Sequence, residues 1–77
     1  MNSIIERTFV DLSNWAIDGI ERNEGFYYTP EERAKMVKDV VQAARNGYFL
    51  DKNHNELVAA VDNYIEFGCR PENVAPE

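Results

Sequence analysis

Apolar residues recur along this chain at helical spacing, in three runs that each carry start and stop signals. In the first run Ile5, Phe9, Leu12, Ala16 and Ile20 are separated by alternating steps of four and three to four. This spacing predicts a helix over about residues 3–23. Ser3-Ile4-Ile5-Glu6 opens it as a capping box, and Gly25, after Arg22 and Asn23, supplies a residue able to turn left-handed at its end. Thr29-Pro30-Glu31-Glu32 begins a second helix, over 30–46, with a cap hydroxyl, a proline at the first helical position and a glutamate three after the cap. Ala34, Val37, Val41 and Ala44, with Val40 beside them, form its expected buried row, and Asn46-Gly47 ends it. A third helix over 53–67 starts from Asp51 or Asn53, the latter with Glu56 in capping-box position. Its stripe is Leu57, Val61, Tyr64 and Ile65, with Val58 at the flank and Gly68 as the stop. Residues 69–77 hold Pro71 and Pro76 and little to bury, which predicts a flexible C-terminal tail.

No segment alternates apolar and polar residues for the length of a strand. Period, caps and turn residues agree on an all-α fold, a small three-helix domain over residues 1–68. Its short loops carry aromatics: Phe26, Tyr27 and Tyr28 in the first, Tyr48 and Phe49 with Leu50 in the second. Such rings either plug the open ends of a small bundle or offer a tyrosine-lined recognition surface, Tyr27 among them.

The first helix is apolar around an unusual share of its circumference. Ile4 and Trp15 widen the central row on one side, Val10 and Ile17 on the other, to about two thirds of the circle. Either the other two helices cover both flanks, or one flank stays bare and meets another chain. Trp15 is the leading candidate anchor, because tryptophan is enriched at binding hot spots. On the narrow polar face, Arg7 with Asp11 and Asp18 with Arg22 are spaced to neutralise one another.

Charge limits the choice of partner. Fourteen acidic residues against eight basic ones give a net charge of −6 in 77 residues, which disfavours nonspecific nucleic-acid binding. The third helix is the acidic one, with Asp62 and Glu66 four apart on one face and Phe67 a candidate apolar anchor beside them. The second is the basic one, through Lys35, Lys38 and Arg45. Opposed charges of this kind suit a basic or mixed-charge protein surface, and they also permit self-association as a homodimer. A helix-turn-helix contact with nucleic acid would need the acidic third helix to face a duplex, leaving only a contact through the second.

Catalytic and metal chemistry finds little support. His54 is the lone histidine and Cys69 the lone cysteine, too few for a multi-thiolate zinc site or an intrachain disulfide. Asp51, Asn53, Asn55 and Asp62 occupy calcium-loop positions, but Glu56 stands where that loop needs glycine and the following residues keep a helical stripe. No phosphate-binding glycine loop and no serine beside a base is present. Nothing here calls for a cofactor, a membrane span or a secretory leader, so a non-enzymatic protein of the reducing cytoplasm is expected. Small size, acidic balance and the lack of catalytic groups resemble the small inhibitors of phages and mobile elements, some of which mimic nucleic acid. That likeness is one of composition.

Overall fold

In a computed structural model, α1 spans Ser3–Glu24, α2 spans Pro30–Arg45 and α3 spans His54–Tyr64, with a π-helical turn, Ile65–Cys69, continuing α3 without a break. The structure describes residues 3–71, with side chains from Glu6 onward. The expected Ser3 cap, the side chains of Ile4 and Ile5, and residues 72–77 of the expected tail lie outside it. Among the described residues there is no strand, and no helix is long and apolar enough to cross a membrane.

Local chemistry sets the element ends. The Thr29 hydroxyl accepts from the Glu32 amide at 3.1 Å while the Glu32 carboxylate accepts from the Thr29 amide at 2.9 Å. Asn53, rather than Asp51, caps α3 in the same reciprocal way with Glu56, both bonds at 2.9 Å. Each capping box satisfies two donors that a helix start would otherwise leave orphaned. Gly25 and Gly47 have φ of 76° and 86°, the left-handed turn expected after α1 and α2. Gly68 does not act as a stop. It sits inside the π-helical turn, and the chain leaves the helix only at Arg70, whose ψ is 138°.

The core is Phe9, Ala16, Ile17 and Ile20 from α1, Met36, Val40 and Ala43 from α2, and Val61, Ile65 and Cys69 from α3 and its extension, closed by Tyr28 and Phe49. The molecule measures 32 × 28 × 19 Å, and the short dimension is roughly two helix diameters. No helix can therefore be surrounded. The inward faces accordingly differ from the sequence expectation by a rotation. In α1 the buried positions are Phe9, Ser13, Ala16, Ile17, Ile20 and Glu21, so Ile17 belongs to the centre and Leu12 to the edge. In α2 the innermost row is Met36, Val40 and Ala43, while Val37, Val41 and Ala44 are half-buried and Ala34 is exposed. Met36 wins because a long flexible side chain fills an irregular gap and removes far more apolar area than the Ala34 methyl.

The connections use their rings unequally. Phe49 is buried, stacked on Phe9 at 5.3 Å between ring centroids and edge-on to Tyr64 at 5.6 Å. Tyr28 is buried and meets Phe26 edge-on at 4.8 Å. Tyr27, Tyr48 and Leu50 stay in solvent. Each connection thus turns rings into the bundle, Tyr28 with Phe26 in the first and Phe49 in the second, and leaves a tyrosine outside.

Two arginines tie the polar side of this core together. Glu21 is buried and accepts from the Tyr28 amide at 2.8 Å and from Arg33 at 2.9 Å; Arg33 also reaches Asn14 at 3.1 Å and Asp18 at 3.0 Å. Asp18 is thus engaged across the α1–α2 interface. Arg70, expected in a loose tail, is buried: it donates to the Tyr28 hydroxyl at 2.9 Å, to Glu24 at 2.7 and 2.8 Å and to Glu66 at 2.6 Å. Cys69 beside it is buried too, so packing against the core runs through residue 70, the second residue of the expected tail. The packing needs Cys69 against the core and the guanidinium needs the carboxylates around it.

The two classes of ion pair should differ in weight. Arg33→Ala strands the Glu21 carboxylate in the interior and is expected to cost about 2–3 kcal/mol in urea unfolding. Arg45→Ala removes only the exposed pair with Glu6 and should cost under about 1 kcal/mol. Equal losses would contradict this division.

Candidate functional site

Two surface grooves run along either side of α3, and its helical periodicity divides the expected binding residues between them. Val61 and Ile65 point into the core. Asp62 and Glu66, one turn apart, face α1; Ala60, Asn63, Tyr64 and Phe67 face the α2–α3 connection.

The α1–α3 groove has a volume of about 270 Å³ and is lined by Trp15, Gly19, Arg22, Glu24, Asp62 and Glu66, among others. Trp15 is 60% exposed, because the inward rotation of α1 toward Ser13 and Ile17 carries position 15 out of the core. Three residues that the sequence marks separately, Trp15, Asp62 and Glu66, are thereby brought to one place. Glu66 does not stand there as a spare charge, since Arg70 holds it from behind. Asp62 is half-buried. Burial pushes its carboxyl above the ordinary value of 3.8, and the neighbouring Glu66 carboxylate pushes it further. An indole face beside such a carboxylate matches a cation with an apolar stem, through cation–π and charge-assisted contacts.

The remaining candidates go elsewhere. Ile17 is fully buried and is withdrawn as a docking residue: a side chain with no exposed surface cannot touch a partner. Val10 is half-buried. Tyr27 is 89% exposed in the α1–α2 connection. Phe67 is exposed but lines the other groove, with Tyr48, Lys52, Ala60 and Tyr64, and does not adjoin Asp62 and Glu66 as a single anchor site. Sequence reasoning also missed Arg33 and Arg70. The spacing of Glu66 and Arg70, four apart, is the one local sign that pointed to the second.

On α2 the basic edge is partly spent. Arg45 donates to Glu6 at 2.7 Å, leaving Lys35 and Lys38 exposed on the outer face. A third groove, between α1 and α2, is lined by Asn14, Arg33, Val37, Lys38, Val41 and Arg45. Residues of the calcium-loop pattern are taken up by the Asn53 cap and by α3 itself, and no group of three or more His, Cys, Asp or Glu side chains could hold a metal ion among the described residues. His54 is exposed at the first position of α3. Burial raises the Cys69 thiol to about 11, Asp39 adds to this and Lys35 opposes it, so the thiol is a poor nucleophile at neutral pH.

No protein-family model matches the chain, and neither the curated proteins nor the solved structures give a match.

Two consequences are measurable. The folded state holds the Asp62 pKa above its unfolded value, so ionising Asp62 works against the fold, and stability is lost as pH rises from about 3.8 through the raised pKa. Asp62→Asn should therefore raise the melting temperature at pH 7 by an amount worth under about 1 kcal/mol, with the gain vanishing in acid below the unfolded value. A gain that persisted there would point to packing instead. A disulfide reagent at mildly alkaline pH should label Cys69 slowly in the native protein and promptly in denaturant; prompt native labelling would mean the segment opens readily.

Proposed function

We propose that this protein is a non-enzymatic binding module, an inhibitor-like acidic protein that acts by docking the α1–α3 groove onto a basic or mixed-charge surface of another protein. The observation that carries this reading is the exposed Trp15 beside the half-buried Asp62, with Glu24 and Glu66 on the same groove. An exposed indole on a chain this small forgoes burial worth about 2 kcal/mol, which a partner would recover on docking. The acidic balance favours encounter with a cationic partner and repels nucleic acid. The partner side chain best suited to the groove is an arginine or lysine, its stem on the indole and its charge at Asp62. An assignment to nucleic acid through α2 is weaker, because Arg45 is already engaged with Glu6.

The test compares immobilised wild type with Trp15→Ala, Asp62→Lys and the control Tyr27→Ser on a lysate of the producing cells. Proteins held by wild type and by the Tyr27 variant, but lost from both groove variants, support the reading. The affinity of such a partner should fall at least about 30-fold for Trp15→Ala, the scale of a hot-spot residue. Identical retention on all four would reject the groove as the binding site, provided that far-ultraviolet circular dichroism shows each variant folded.

A further inference from the structure

The second groove, on the far side of α3, carries an inference independent of the first. It encloses about 450 Å³ between Tyr48, Lys52, Ala60, Asn63, Tyr64 and Phe67. The π-helical turn creates its most exposed wall. By turning Ile65 and Cys69 inward, at 0% and 5% exposure, it leaves Phe67 at 77% in solvent. Tyr48 packs on Tyr64 at 5.0 Å between ring centroids yet remains 60% exposed, and Leu50 from the same connection is 87% exposed. Phe67 and Tyr48 are thus large apolar side chains held in water at the groove.

We infer that this face is where two copies of the chain meet across a two-fold axis, each Phe67 entering the groove of the other between Tyr48 and Ala60. Charge selects the occupant. The chain carries −6, so most faces of one copy oppose carboxylates on another. Among this groove's lining residues there is no carboxylate, and its one charged residue, Lys52, lies 4.0 Å from Asp51, which leaves the rim near neutral. Shape agrees with charge. A projecting ring beside an open groove is self-complementary under two-fold rotation, which uses the same patch on both partners. Such an interface belongs at the weaker end, with dissociation constants in the micromolar range.

Sedimentation equilibrium of the full chain across the micromolar range tests this, at about 0.05 M and about 0.5 M salt, where screening differs several-fold. The expected result is a monomer–dimer equilibrium that high salt preserves or strengthens, because salt screens the repulsion between two acidic copies. Phe67→Glu, and independently Ala60→Arg, which fills the groove, should each weaken the dimer at least about 30-fold with the helical signal unchanged. Trp15→Ala should leave it intact, which separates this result from the fate of the α1–α3 groove. A wild type that stays monomeric throughout overturns the proposal, whatever other molecule covers the patch. So does a dimer that dissolves in salt and ignores both substitutions, the behaviour of copies joined through Lys35 and Lys38 to Asp62.

Discussion

Arg70 is the contact on which the far end of the molecule depends. One guanidinium ties together the end of α1 through Glu24, the first connection through the Tyr28 hydroxyl and the extension of α3 through Glu66. Burying a cation is expensive unless most of its donors are met, and here two carboxylates and a phenol meet them. Arg33 does a parallel service on the same connection, holding Glu21 where Tyr28 turns into the core. A bundle of three short helices has a shallow interior. These ion-paired seams fix the angle at which helices arrive, where apolar packing alone tolerates several arrangements.

That clasp also decides what the surface offers. It takes Glu24 and Glu66 partly into the structure, so Asp62 is the carboxylate that α3 presents toward α1. By holding the extension in place it fixes Phe67 outward. Three faces of one short helix thus have three tasks: Val61 and Ile65 pack, Asp62 shares a groove with Trp15, and Phe67 and Ala60 border a second, apolar one. The eleven residues of α3 and its π-helical extension supply all three faces between them.

The elements were legible in the sequence because their signals are local. Thr29 with Glu32 and Asn53 with Glu56 form caps that need only three residues of context, and Gly25 and Gly47 mark turns within one residue. Rotation about each helix axis was not legible. A sector as wide as that of α1 states that much must be covered, and the position of the neighbours decides whether Ile17 or Trp15 goes inside. Met36 escaped for a related reason, since the valines and alanines of α2 make an acceptable stripe one step round. Arg33 and Arg70 meet partners 12 and 46 residues away, and separations of that length leave no periodic trace. Of the candidate site, the residues were legible and their grouping was not: Trp15, Asp62 and Glu66 share a groove, while Phe67 belongs to another.

The π-helical turn has one extra residue per hydrogen-bonded loop relative to an α-helix. Its five residues turn through about the angle of four α-helical ones, so removing one residue between 65 and 69 lets α3 run on as regular helix with Arg70 still on the same side. The same deletion in the regular turns before residue 65 has nothing to absorb it, and it swings the guanidinium and the thiol by about 100° away from their partners. The turn therefore makes this stretch the place where the helix tolerates a change of length: related chains should accept the loss of one residue between Ile65 and Cys69 more readily than between Leu57 and Tyr64.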